Sequence, residues 1–411
     1  GILNVGVLII DIDGIHSTGT GADAADISIH GTAGTGTNGL YGVSLQGMTT
    51  DVTAVAGDVT IVGTGGTGAG PFNHGVYFDD DSRTQVTSGT LSVMGTAGGG
   101  DAAGVSLGFE NVTAGQLVSV GSGEIVITAT GNGATSDFTS GPGSILGDAT
   151  HAGAASPATG NITINANSID LLGTTHVESD GMLTIQPRTP STTIGLGGGT
   201  GTLNLEDTEL VFLQDGFSSI TIGDTTAAIA ARGDVDIDTV TFNDPVTIAG
   251  NTINDGTGLD LQNTDGTLPT VTLDGNVSPG QSPGRLISYA NLVIEDNSEL
   301  TVEILGPATG TAGTDFDQIS VNGTVSIGAT VALTVDTTGL TAGEIADGDE
   351  WIIITNNLSD LVSGTFDGLT NDGDEVIADV NGLGYALDIT YTGGDGNDVA
   401  LVARALATTT V

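Results

Sequence analysis

Lysine and cysteine are both missing from these 411 residues, and the basic side chains other than histidine number five: Arg83, Arg188, Arg232, Arg285 and Arg404. Against them stand 50 acidic residues, for a formal net charge of −45. A surface of that sign repels phosphate backbones and anionic lipid, which argues against nucleic-acid binding. Without cysteine there is no disulfide framework, no thiol chemistry and no thiolate metal site. Aromatics are few, with nine Phe, five Tyr and one Trp, so interior layers must be narrow and filled mainly by Val, Ile, Leu and Ala. Long apolar runs are missing too. Runs such as Val7-Leu8-Ile9-Ile10 are far too short to span a bilayer, so no membrane insertion is expected. No basic n-region precedes a hydrophobic stretch and the chain opens on Gly1 instead of Met, the pattern expected of a chain processed after export.

What the chain has in excess is glycine, 68 residues, and it recurs on a period. Three copies of one pattern begin DISIHGTAGTG at Asp26, DVTIVGTGGTG at Asp58 and TLSVMGTAGGG at Thr90, 32 residues apart. Each opens with an alternating strand (Val59 and Ile61 in the second copy) and crosses a Gly/Thr loop. Each then enters another strand after a glycine: Gly42-Val43-Ser44-Leu45, Gly75-Val76-Tyr77-Phe78 and Gly104-Val105-Ser106-Leu107. A third extended piece, such as Thr84-Gln85-Val86-Thr87, closes the copy. Three short strands and three turns make one coil of a β-solenoid. A solenoid core is a column that grows with length, which reconciles a chain of this size with the lack of any linker-like break.

After Gly123 the pattern loosens. Glu124-Ile125-Val126-Ile127 and Asn161-Ile162-Thr163-Ile164 open further coils, and the Gly/Ala/Ser/Pro-rich stretch Ser140 to Thr159 reads as a surface loop. The alternating Asn161, Asn165 and Asn167 suggest buried asparagine ladders at a corner. Leu205 to Gln214, LEDTELVFLQ, has acidic residues early, apolar ones at Leu210, Val211 and Leu213, and a stop at Gly216, which predicts a helix of about two turns. Ser278 to Gly284 is a double turn. The final pair, Tyr385 to Tyr391 and Val399 to Val402, flanks a glycine-rich turn and predicts a hairpin. The expected divisions are 1–185, solenoid with 32-residue repeats; 186–270, continuing coils with one helix; and 271–411, a C-terminal β region.

The copies with xVTIxGTGG, GVYF and VTSG elements resemble repeats of the giant bacterial secreted proteins called filamentous-haemagglutinin-like. Leu183 to Gly223 is similar to a block that recurs in them. Farther on, NVSPGQSPGRL, FDQISVNGTVSIG, DGDEWIIIT, VSGTFDGL and ITYTGGDGNDVALV resemble, in order, the C-terminal portion of autotransporter-type passengers. Together these cover nearly the whole chain. The resemblance implies a right-handed parallel β-helix, export from a bacterium to the cell surface or beyond, and an adhesive or scaffolding role. It brings no catalytic residues, and with no barrel pattern before Val411 neither self-translocation nor barrel anchoring is expected from these residues.

Enzymes on such folds need clustered carboxylates beside a basic residue. Here the five arginines are spread over the whole length, and His16, His30, His74, His151 and His176 form no metal-spaced set, so no enzyme is expected. No cofactor is required. Calcium is the one candidate: the acidic turns at Asp79, Asp80 and Asp81, at Asp347 and Asp349, at Asp372 and Asp374, and at Asp395 and Asp398 offer oxygens to a hard cation. The alternative is that Asp, Asn and Gly build turns. Thr-x-Thr pairs, which would mark a flat ice- or glycan-binding face, do not recur at the coil period.

Gly6-Val7-Leu8-Ile9 resembles the second strand of a copy, so the chain enters its first coil midway. That leaves unpaired backbone and apolar side chains at one end. The apolar segment Ile2, Leu3, Val5, Val7, Leu8, Ile9 and Ile10, with the terminal Leu401 to Val411, is therefore the expected assembly element of a homo-oligomer joined end to end. The expected function is a structural subunit of a bacterial surface fibre or matrix. The alternative is an adhesin that binds glycans or neighbouring cells through loops around Pro71 to Arg83 and Ser140 to Thr159; a polysaccharide-active enzyme comes last.

Overall fold

The computed structural model describes residues 4–11, 14–108, 115–148, 158–255, 261–262, 269–280, 282–357, 359 and 361–407. The chain forms two compact units, Gly1–Thr192 with Thr202–Gly223, and Thr193–Gly201 with Asp224–Val411. The fold is all-β, a parallel β-helix of stacked three-stranded coils.

In the first unit, successive strands fall on three faces in rotation. The first face stacks Val7–Ile10, Val43–Gln46, Val76–Phe78, Val105–Leu107, Phe138–Ser140 and Ile169–Leu171 in parallel. The second stacks Ile15–Ser17, Asp51–Ala54, Arg83–Val86, Gln116–Ser119, Ile145–Asp148 and His176–Glu178. The third carries Ile27–Thr32, Val59–Thr64, Thr90–Thr96, Glu124–Thr130, Ile162–Asn165, Met182–Gln186 and Ser219–Ile222. Alternation sends every second side chain inward. On the third face Val59, Leu91, Ile125 and Leu183 form one fully buried column, and Ile61, Val93, Ile127 and Ile185 another. Each such side chain contributes about 1.5–3 kcal/mol by leaving water.

The periodic glycines are dictated by backbone approach. A Cβ on Gly63 would collide with the Gly75 carbonyl oxygen, and one on Gly95 with that of Gly104. At those corners the strand leaving the third face crosses the start of the next first-face strand with no room for a side chain.

The stretch Ser140 to Thr159, expected to be a loop, contains the strand Ile145–Asp148; residues 149–157 lie outside the described ones. Ile145 and Leu146 supply enough alternation to pair with both neighbouring coils. The expected helix shrinks to α1, Asp207–Leu210, closed by a capping box between Glu206 and Glu209. Leu213 leaves the helix to bridge Val177 on the second face, because coil-to-coil pairing competes with a second helical turn.

The asparagines of the alternating segment are half-buried and face outward, not inward. Met182 N–H donates to Asn161 Oδ1 at 2.9 Å and Thr189 N–H to Asn167 Oδ1 at 2.9 Å, so they tie neighbouring coils together from outside. Asn73, by contrast, is fully buried. Its Oδ1 accepts from Leu40 N–H at 3.1 Å, and its amide donates to the carbonyls of Gly70 at 2.8 Å and Gly99 at 2.6 Å.

In the second unit, Val240–Thr241, Leu261–Gln262, Arg285–Ser288, Gln318–Val321 and Glu350–Asn356 run parallel on one sheet. The other sheet carries Ile194–Leu196, Val235–Ile237, Val246–Asp255 and Thr270–Ser278, then forks onto Asn291–Ile294 and Glu299–Glu303. Buried Asp317 accepts from Gly284 N–H at 2.5 Å and Glu303 N–H at 2.8 Å, and burial pushes its carboxyl up to about 6. Trp351, fully buried, donates its indole N–H to the Gly306 carbonyl at 3.0 Å.

The expected terminal hairpin is present, formed by Tyr385–Gly393 and Asp398–Ala405 in antiparallel pairing. Asp398–Ala405 also lies antiparallel on Glu350–Asn356, so parallel stacking ends there.

Candidate functional site

The first coil stacks on one neighbouring coil among the described residues. Its three strands, Val7–Ile10, Ile15–Ser17 and Ile27–Thr32, each pair on one edge only among the described residues. The inward side chains register this: Ile27 and Ile29 retain 9% and 7% of their surface, whereas Val59 and Ile61, one coil in, retain none. Val7–Ile10 lacks an outer covering as well. Leu8 and Ile10 are 51% and 45% exposed, while the next outward residues in the column of Leu8, which are Ser44, Tyr77 and Ser106, are buried. Val5 and Val7 are half-buried and Ile9 is buried; Ile2 and Leu3 lie outside the described residues. A strand edge with an apolar outer face is a template for pairing with another strand.

The C-terminal segment differs. Leu401 and its neighbours up to Ala405 lie in the interior of an antiparallel sheet, between Glu350–Asn356 and Tyr385–Gly393, with Val399, Ala400, Leu401 and Ala403 buried. Those residues present no free edge for assembly, because both edges of their strand are already paired; residues 408–411 are outside the described ones. In the second unit the strand Ala332–Asp336 pairs, among the described residues, on one side only, with Glu299–Glu303.

The acidic turns use their carboxylates on the protein itself. Asp79 accepts from the Tyr77 hydroxyl at 2.8 Å and from Asp80 N–H at 2.9 Å, and burial raises its carboxyl above the usual range. Asp80 and Asp81 both sit in the left-handed region, at φ 50° and 59°, held by a turn in which Ser82 N–H donates to the Asp79 carbonyl at 3.0 Å. Asp347 accepts from Ala405 N–H at 2.8 Å, Asp349 from Ala346 N–H at 2.7 Å, Asp372 from Tyr391 N–H at 2.7 Å and Asp374 from Asn371 N–H at 2.8 Å. Asp398 accepts from Asn356 N–H at 2.8 Å, and burial raises its carboxyl. Asp395 stands in the turn that Gly396 N–H closes onto the Gly393 carbonyl. Among the described residues no three His, Cys, Asp or Glu side chains converge on a point that could hold a metal ion. Asp79, Asp347, Asp349, Asp372, Asp374 and Asp398 act as turn-building carboxylates that hold backbone N–H groups.

Two features escaped the sequence reading. One is the bond by which the expected helix α1 closes the first face: Leu171 N–H donates to Glu209 Oε1 at 2.7 Å, where a further coil would offer a carbonyl. The acidic residues early in that segment were the only sequence signal. The other is an aromatic layer outside the first face, where Tyr41 and Tyr77 stack at 4.7 Å and His74 lies 5.5 Å from Tyr77. The segment Pro71 to Arg83, expected to be a binding loop, is mostly built in: it contains Val76–Phe78, and Arg83 opens the next strand.

No helix of the described residues is long and apolar enough to cross a membrane. No protein-family model and no curated protein matches the chain.

Proposed function

We propose that this chain is a structural β-solenoid, a subunit of an exported bacterial surface fibre or matrix, which joins another copy through its first coil. The observation that carries this reading is the coil at Val7–Ile10, Ile15–Ser17 and Ile27–Thr32, whose strands pair on one edge only among the described residues, with the exposed apolar pair Leu8 and Ile10. Strand addition to such an edge satisfies backbone groups and covers apolar surface at once. The antiparallel strand Asp398–Ala405 removes the Glu350–Asn356 edge from the contact. We assign the complementary edge on the second copy to Ala332–Asp336, which pairs in parallel with Glu299–Glu303 on one side among the described residues. A heterologous contact of this kind propagates as a filament instead of closing into a ring when its rotation does not close. The acidic, lysine-free surface keeps the sides of such fibres apart. Export and the bacterial surface rest on the sequence resemblance.

The test is sedimentation velocity with negative-stain microscopy on the full chain and on the double variant Leu8→Lys, Ile10→Lys. Both side chains are exposed, so the variant keeps its fold while placing two charges on the joining edge. Wild-type protein is expected to form end-to-end files that the variant does not. Wild-type monomers at every concentration, or files unchanged in the variant, would sink the reading.

A further inference from the structure

A cleft of about 460 Å³ opens on the outer side of the first face of the solenoid, over the outward residues Thr139 and Asp170. Phe72 and His74 form one wall, and Thr135 and Asp101 contribute to the rest. Its size lies within the roughly 300–1,000 Å³ of small-molecule sites.

We propose that this cleft binds a short neutral saccharide, held by hydrogen bonds from His74 and Thr135 and by the ring of Phe72. Three observations converge on it. First, His74 is 4% exposed, and its Nδ1 accepts from Ala103 N–H at 2.9 Å. The neutral imidazole therefore carries its proton on Nε2, and Nε2 is buried without a hydrogen-bond partner. Second, the Thr135 hydroxyl, on the same cleft, is likewise buried and unpaired. Native proteins leave few such atoms, and each costs about 1–3 kcal/mol. Two on one cleft mark a place where a ligand completes the bonding. Third, Phe72 is held at φ 65°, a conformation that a bulky side chain rarely adopts. Its N–H donates to the Asp101 carbonyl at 2.8 Å, and its ring stays half-exposed on the cleft. Strain of this kind persists where the surroundings enforce it, and it gathers at ligand sites.

The chemistry of the lining selects the ligand class. His74 Nε2–H needs an acceptor, whereas the carboxylate of Asp101 on the same cleft takes donors. A hydroxyl group is both. An anionic sugar meets the carboxylates of Asp101 and Asp170 and a net charge of −45, and an ammonium group offers His74 no lone pair. A pyranose also has an apolar C–H face to lay against Phe72. Burial, which lowers the His74 imidazole to about 4, keeps the ring neutral and in its donor form at pH 7. The cleft lies away from the edges of the first coil, so the saccharide reading and the assembly reading fail independently.

The experiment is a glycan array carrying neutral, sialylated and uronate-containing oligosaccharides, probed with the full chain. Calorimetric titration of the best neutral hit follows, on wild type, Phe72→Gly and Thr135→Val. Neutral glycans are expected to be retained and acidic ones not. Phe72→Gly removes the platform and relieves the left-handed backbone, so it should weaken binding at least about tenfold while the melting temperature holds or rises. Thr135→Val should weaken it about tenfold, the worth of one buried hydrogen bond. Retention of no neutral glycan, preference for acidic glycans, or full affinity in Phe72→Gly or Thr135→Val would overturn the proposal.

Discussion

At the scale of single residues, the side chains that matter most in the first unit reach along the solenoid axis. Asp26 Oδ1 accepts from Asp58 N–H at 2.9 Å, and Asp58 Oδ1 accepts from Thr90 N–H at 2.8 Å, so each repeat opens by holding the first amide of the next. His74 is the residue whose ionisation should be felt. Its imidazole is lowered to about 4 by burial beneath Tyr41 and Tyr77, with Asp101 and Asp170 lining the adjoining cleft. In the unfolded chain it returns to about 6.5. Between these values the unfolded state binds a proton that the folded state refuses, so stability falls as pH drops through that window, by about 3 kcal/mol in all. Urea unfolding from pH 7 to pH 4, compared between wild type and His74→Phe, checks this: the variant should lose stability less steeply on acidification. Parallel losses would remove His74 as the cause. The repeated Asp was legible in the sequence as a period, but neither its axial bond nor the burial of Asn73 and His74 was, because local pattern does not reveal what a corner residue meets one coil away.

At the scale of elements, strands were legible wherever inward Val, Ile and Leu alternate with outward polar residues. Segments in which alternation is short, such as Ile145–Asp148, were not, since their strand state depends on neighbours already in place. α1 illustrates the same dependence. Capping chemistry predicted a helix near Leu205, yet only one turn forms, and its Glu209 carboxylate accepts from Leu171 N–H at 2.7 Å and from Glu206 N–H at 2.9 Å. Glu209→Ala leaves a buried amide at the end of the first face without an acceptor. It should cost about 2 kcal/mol in denaturant unfolding and speed hydrogen exchange at Leu171. Glu209→Gln, which keeps an acceptor oxygen, should cost less. Equal effects of the two would show that the cap works through packing and not through its hydrogen bonds.

At the scale of the whole molecule, charge and closure dominate. Fifty acidic residues against five arginines make the folded chain self-repelling, a destabilisation that salt screens. The melting temperature should therefore rise as sodium chloride is increased from about 10 mM, where the screening length is near 30 Å, to about 1 M, where it is near 3 Å. A flat response would mean that the charges are too dispersed to matter. The sequence by itself determined the period, the three strands per coil and the glycine corners, because a solenoid contact is a repeat contact: each residue meets its equivalent one period away. Only the tertiary structure decided which ends are closed. The antiparallel return of Asp398–Ala405 onto Glu350–Asn356, the Glu209 carboxylate below Leu171, and the cleft that gathers Phe72, His74 and Thr135 all join residues at separations outside the repeat, and periodicity carries no information about contacts that occur once.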